Sequence, residues 1–128
     1  MKTYTNDKGP KWTKYYEDGS GRTPIVKHHV TGTITLTSPS DDSEKVDLYS
    51  PEEHLFVFTT FKKLLAEWFS LENFQEREGG LVIKYSQTAG LTVSRRGNHD
   101  TQFHCVTNQS VEFIVVALEL IEAQRTLS

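Results

Sequence analysis

The stretch "VKHHVTGTITLTS", Val26 to Ser38, sets a threonine at every second position from Thr31 to Thr37. Fifty-seven residues on, "IKYSQTAGLTVSR", Ile83 to Arg95, keeps lysine, threonine and apolar residues in the same steps. Successive side chains of a strand point to opposite faces, so period two reads as a strand with one apolar and one hydroxyl-lined face. Val26, Val30, Ile34 and Leu36 form the apolar set of the first stretch, with a break near Gly32. Leu81, Ile83, Leu91 and Val93 form that of the second, with "QTAG", Gln87 to Gly90, as its turn.

The correspondence extends outward from these ribbons. Sliding the chain on itself aligns Arg22–Trp68 with Gly79–Arg125 without a gap. Lys27 meets Lys84, Thr31 meets Thr88, Thr35 meets Thr92, Phe56 meets Phe113 and Ala66 meets Ala123. A third short strand is expected in each unit, with Val46 and Leu48 inward in one and Phe103 and Cys105 in the other. Each unit then turns to helical spacing. Ser50, Pro51 and Glu53 make a capping-box start, and Leu55, Phe58, Phe61, Leu65 and Trp68 recur as an apolar stripe. A second helix is expected from Thr107 or Asn108, with Val111, Val115, Leu118 and Ile121 on one face. "KWTKYYEDGSG" adds a strand ahead of the first unit, while "ENFQEREGG" reads as helix end and linker, leaving the second copy one strand short.

An α+β fold follows: an antiparallel sheet built from two tandem strand-strand-strand-helix units, with two helices packed on one face. The chain of 128 residues is expected to form a single domain, 1–128, holding an internal pseudo-repeat at 22–68 and 79–125. No apolar run reaches membrane-spanning length, and the N-terminal stretch lacks the apolar segment of a signal peptide. Cys105 is the only cysteine, so no intrachain disulfide can form and a cytoplasmic, reducing compartment is expected. "NQS" at Asn108 then reads as a helix start rather than a glycosylation site.

Charge is unevenly placed. Residues 1–36 carry six basic groups against three acidic ones, so a net charge of −3 leaves an excess of six acids to the remainder. With the apolar residues inward, the outward sheet positions include Lys27, Lys45, Lys84 and Arg96 against Asp47, among the hydroxyls Thr31, Thr35, Thr37, Ser86, Thr92 and Ser94. Most of the acid lies on helices and linkers. A basic, hydroxyl-rich sheet face suits a single nucleic-acid strand, because cations neutralise phosphates and aromatic rings stack on unpaired bases. Lys27, Lys84, Arg95 and Arg96 are the expected phosphate contacts, and Trp12, Tyr16 and Tyr49 the expected stacking residues.

Strands followed by a helix, given twice, resembles the topology of the whirly and Pur-repeat single-strand binders, and the likeness implies a sheet face that takes single-stranded nucleic acid. The same order with acidic helices looks somewhat like the small acidic dimeric secretion chaperones. That likeness implies the alternative function, a protein-binding module (inhibitor, immunity or chaperone-like factor). A homodimer is expected in either case.

Catalytic and metal chemistry find little support. His104 and Cys105 are adjacent on a strand and point to opposite faces, so they cannot act as a base–nucleophile pair. His29 and His104 share the outward parity, the one conceivable metal pair. No Gly-rich phosphate loop, zinc spacing or serine-triad pattern is present. "DDSE", Asp41 to Glu44, reads as a solvated turn, and its counterpart "RRGNHD" as a basic one. A non-enzymatic binding protein without cofactor or metal is expected.

Overall fold

The computed structural model describes residues 2–6, 13–18, 20 and 22–127, the side chains of 2, 4, 6, 98–101, 126 and 127 excepted. Its strands are β1 (Lys2–Asn6), β2 (Thr13–Glu17), β3 (Ile25–His29), β4 (Ile34–Thr37) and β5 (Lys45–Leu48), followed by helix α1 (Pro51–Ala66). The second half repeats the plan with β6 (Asn73–Glu78), β7 (Leu81–Ser86), β8 (Gly90–Arg95) and β9 (Asn98–Cys105), followed by α2 (Asn108–Leu127). The α+β class, the antiparallel pairing and the two strand-run-then-helix units are those read from the sequence.

Three details differ. The strands form two hydrogen-bonded sheets rather than one, β1-β2-β3-β4-β5 and β6-β7-β8-β9, which come together along β5 and β9. Ser38 bridges them by accepting from the His104 backbone N–H at 2.8 Å. Strand β1 is additional to the strands expected from alternation. So is β6, which supplies the strand that the second unit was expected to lack.

Register explains why β6 escapes a comparison of the two units. Val26 pairs with Leu36 and Ile34 with Leu48; 57 residues later Ile83 pairs with Val93 and Leu91 with Cys105. The leading strands break the step. Lys14 faces His28, whereas Phe74 faces Tyr85, a spacing of 60 instead of 57. The connection is three residues shorter in the second unit, where Gly79 (φ 58°) and Gly80 alone turn the chain between Glu78 and Leu81. A gapless alignment cannot follow that shortening.

Ser50 caps α1 with extended backbone, its hydroxyl accepting from the Glu53 N–H at 3.2 Å, and Pro51 stands at the first helical position. Thr107 does the same for α2, accepting from the Ser110 N–H at 3.2 Å. Asn108 therefore opens a helix, and the β-branched run after it is helical because Val111, Ile114, Val115, Leu118 and Ile121 all reach the core. On α1 the buried stripe is Val57, Phe61 and Leu64, continued by Trp68 beyond the helix end, and Leu55 is 60 % exposed. The run "LFVF" offers two apolar faces, and packing selected the one adjoining Phe61. Val30, expected inward, is exposed because β3 ends at His29 and the chain turns there.

The helices cross between units. Helix α1 lies against β6 and α2 against β3, and the helices also pack on each other. Lys63 of α1 sits over the Phe74 ring at 5.4 Å, and Trp68 meets Tyr85 at 4.4 Å between ring centroids. Lys14 of β2 donates to Gln124 of α2 at 3.1 Å. One continuous apolar cluster results, drawing on both sheets and both helices.

Candidate functional site

Pairing parity places the outward side chains of each sheet. On the first sheet these include Thr13, Tyr15 and Glu17 on β2, Ile25, Lys27 and His29 on β3, Thr35 and Thr37 on β4, and Lys45 and Asp47 on β5. Its hydroxyls are not a wet face. Thr35 and Thr37 are buried, since they stand on β4 between longer side chains of β3 and β5. Thr35 is also spoken for: its hydroxyl donates to Asp47 at 2.6 Å, so it accepts from His29 Nε2 at 2.9 Å. That assignment leaves His29 Nδ1 to accept from the Thr13 hydroxyl at 3.0 Å. The chain Thr13–His29–Thr35–Asp47 thus crosses four strands with its donors aligned in one direction. Desolvation lowers the His29 pKa, with Lys27 and Lys45 adding to it and Asp47 opposing, which agrees with a neutral ring.

The second sheet is different. Its outward positions are Asn73, Gln75 and Arg77 on β6, Val82, Lys84 and Ser86 on β7, Thr92 and Ser94 on β8, and Gln102 and His104 on β9. Among the described side chains this face carries two cations and no carboxylate. Lys84, Asn73, Gln75, Ser86 and Thr92 line an open groove of about 440 Å³ along β6 to β8. The Gln75 carboxamide oxygen, in the orientation that satisfies both groups, accepts from Arg77 at 2.8 and 3.1 Å and holds that guanidinium along the strand. His104 donates from Nε2 to the Ala89 carbonyl at 2.8 Å, while His29 is engaged on the other sheet.

Gly90 lines the groove at a position that suits glycine alone. Its φ of 84° is a conformation that side chains disfavour, and an added Cβ would come within 2.6 Å of the Cys105 carbonyl oxygen. Cys105 itself is buried, and desolvation pushes its thiol up to about 12, so it stays protonated.

The residues expected at the site are dispersed. Lys84 is exposed on the groove. Lys27 is half-buried on the first sheet, its ammonium 5.7 Å from the Tyr15 ring. Arg96 is exposed at the turn after β8, where its backbone N–H donates to Gly80 O at 2.6 Å. Trp12 lies outside the described residues.

Tyr16 must be set aside as a stacking residue. It is 1 % exposed because it pairs with Val26 on the apolar face of β2, one step out of phase with the outward Tyr15. Arg95 must be set aside as a phosphate contact. Its guanidinium donates to Glu53 at 2.9 and 3.0 Å and to the Asp47 carbonyl, and it lies 4.4 Å from the Tyr49 ring centroid. Glu53 in turn accepts from the Tyr49 N–H at 2.7 Å. Arg95 fastens β8 to the start of α1, occupying one face of the exposed Tyr49. The hydrogen bonds from Arg95 are the first cause of the lowered Glu53 pKa.

Sequence reading missed Arg77 and Gln75, because "NFQERE" holds a single apolar residue and only the register of β6 puts both on the face opposite Phe74.

Comparison with known proteins finds no counterpart: no family model, no curated protein and no solved structure matches this chain.

Proposed function

We propose that the protein is a non-enzymatic binder of single-stranded nucleic acid and that its contact surface is the outward face of the second sheet. The observation carrying this reading is Lys84 set among hydroxyl and amide side chains on one open groove, with Arg77 farther along the same sheet face and no carboxylate among the described side chains of that face. Cations at such a surface release counterions from phosphates, and hydroxyls and amides donate to phosphate oxygens without reading sequence. Exposed acids lie off this face, at Glu52, Glu67, Glu112, Glu119 and Glu122 on the helices and the turn after α1, and at Glu76 and Glu78 on the reverse face of β6, with Glu72 just ahead of that strand. The acidic helical side therefore repels an arriving strand, and Lys84 and Arg77 are the cations that the outward face of the second sheet offers it.

Fluorescence anisotropy of a labelled oligothymidine at about 50 and about 200 mM salt tests the reading. Binding should weaken with salt. Lys84→Glu should weaken it further and flatten the log–log salt slope by about 0.7 for each phosphate the variant no longer neutralises. The double change Glu119→Gln and Glu122→Gln should not weaken it. Binding indifferent to salt, or none at low salt, rules the reading out.

A separate observation favours self-association. An apolar recess of about 520 Å³ lies between α1 and α2, lined by Leu55, Phe58 and Leu118 with Glu119 and Glu122 at its rim. Lys62 and Lys63 are exposed on α1, so a second copy related by a two-fold axis can set these lysines against the glutamates of its partner. Sedimentation of the wild type should show a dimer that Leu55→Glu converts to monomer.

A further inference from the structure

Phe69 is 83 % exposed, the most exposed large apolar side chain among the described residues. Exposed rings at chain ends or loose loops are commonplace, but the backbone carrying this one is held from three sides. Trp68 O accepts from the Tyr85 hydroxyl at 2.6 Å, and Phe69 O and Leu71 O both accept from Gln87 Nε2 at 3.1 Å. Gln87 N–H also donates to Glu72 O, and Glu67 O accepts from the N–H groups of Ser70 and Leu71. Trp68, the neighbouring residue, is buried against Tyr85. The ring is thus mounted on a fixed turn at the β7–β8 hairpin, and little conformational entropy remains to be lost when something packs on it.

Its surroundings define what that something is. Phe69, Gln87 and the exposed Val106 line a small recess of about 240 Å³. This recess shares Tyr85, Ser86 and Gly90 with the basic groove, so the two adjoin around the hairpin. A flat apolar ring, an amide oxygen that can accept, and a cation on the adjoining groove are the parts needed for an unpaired base and its phosphates. A protein partner would be matched by the apolar part alone and would leave the adjoining cation unexplained.

We propose that Phe69 is the base-stacking residue of this protein, receiving one unpaired base beside Gln87 and Val106 while Lys84 and Arg77 hold phosphates of the same strand. The proposal rests on the sheet face being the nucleic-acid surface. Stacking is tolerant of base identity, so the site takes any base, with a hydrogen bond from the base to the Gln87 amide oxygen as a secondary preference.

The test compares wild type, Phe69→Ala, Phe69→Trp and Lys84→Glu against labelled oligothymidine, the same strand with abasic sites, and heparin, each across a salt series. Phe69→Ala should weaken oligothymidine binding about tenfold or more with the salt slope unchanged. Abasic strand and heparin should be bound by Phe69→Ala as by wild type, and Phe69→Trp should retain wild-type affinity. Thermal melting of Phe69→Ala at the wild-type temperature shows that the fold is intact, as expected for so exposed a ring. If Lys84→Glu weakens binding and Phe69→Ala does not, the stacking role is overturned and the groove reading stands. If wild type binds no strand at low salt, both fall. If Phe69→Ala binds strands normally but changes the sedimentation of the protein, the ring is a protein contact and the inference is wrong.

Discussion

Tyr16 and Arg95 show how much a single side chain's setting governs its use. The Tyr16 hydroxyl is buried with no hydrogen-bond partner among the described residues, and desolvation raises its pKa. An unsatisfied buried hydroxyl costs about 1–3 kcal/mol, so Tyr16→Phe should leave stability unchanged or raise it, with the midpoint of urea unfolding as the measure. Arg95 predicts the reverse. Removing it with Arg95→Ala leaves a half-buried Glu53 without its bidentate partner, and stability should fall by about 1–3 kcal/mol. Glu53→Gln should recover part of that loss in the double variant, because the neutral amide no longer needs a cation. Neither behaviour could be read from residue type. Tyrosine next to lysine, and arginine in a basic loop, look like ligand-binding groups until the parity of β2 and the approach of α1 are known.

At the scale of elements, much was legible. Ser50-Pro51-x-Glu53 marks a helix start by local chemistry alone, and the structure places the cap there. Ser50→Ala and Thr107→Ala should each cost about 1 kcal/mol, and similar values would show that the two helices are capped as equivalent elements. The three later strands of each unit were visible because their period-two alternation is strong. Strand β6 was not, since all but one of its six residues are exposed and the apolar alternation that announces a strand is almost absent. The helix faces were only half legible. Where a run such as Leu55-Phe56-Val57-Phe58 is apolar all round, periodicity names no unique inner face, and contact with β6 and α2 decides.

The whole molecule should be sensitive to acid. Behind the first sheet, His28 of β3 and His54 of α1 lie with Arg125 of α2 and Lys14 of β2. Burial is the largest cause of the His28 shift, lowering its pKa from 6.5 to about 4, with the positive charges of Arg125 and Lys14 adding to it, as would protonation of His54 or His29. His54 is lowered too, mainly by burial. Its Nε2 donates to Leu48 O at 3.0 Å and its Nδ1 accepts from Arg125 at 2.6 Å, which identifies a neutral ring. Glu53 and Glu122 oppose the shift. Between pH 6.5 and about 4 the unfolded chain therefore binds a proton at His28 that the native protein refuses, so stability is full above that window and falls as pH drops through it. Melting temperatures measured from about pH 7.5 down to about pH 4.5 should decline accordingly, and His28→Gln should flatten the decline. Because α1 serves the second sheet and α2 the first, that loss should be cooperative, with both sheets melting at one midpoint.

By itself, the sequence determined the local events: which segments alternate, where helices begin, and that two units share a pattern. Each depends on neighbours a few residues apart, so short-range physics suffices. Sequence reading assigned Glu76 and Glu78 to a linker, and the structure places them on β6. Only the tertiary structure decided the rest. It divided the strands into two sheets, crossed the helices between them, buried Thr35 and Thr37, engaged Arg95 with Glu53, and left Phe69 standing on a fixed turn next to the groove that Lys84 lines. Those outcomes turn on which surfaces meet across dozens of residues, and a threonine every second position cannot say whether its face will meet water or a neighbouring side chain.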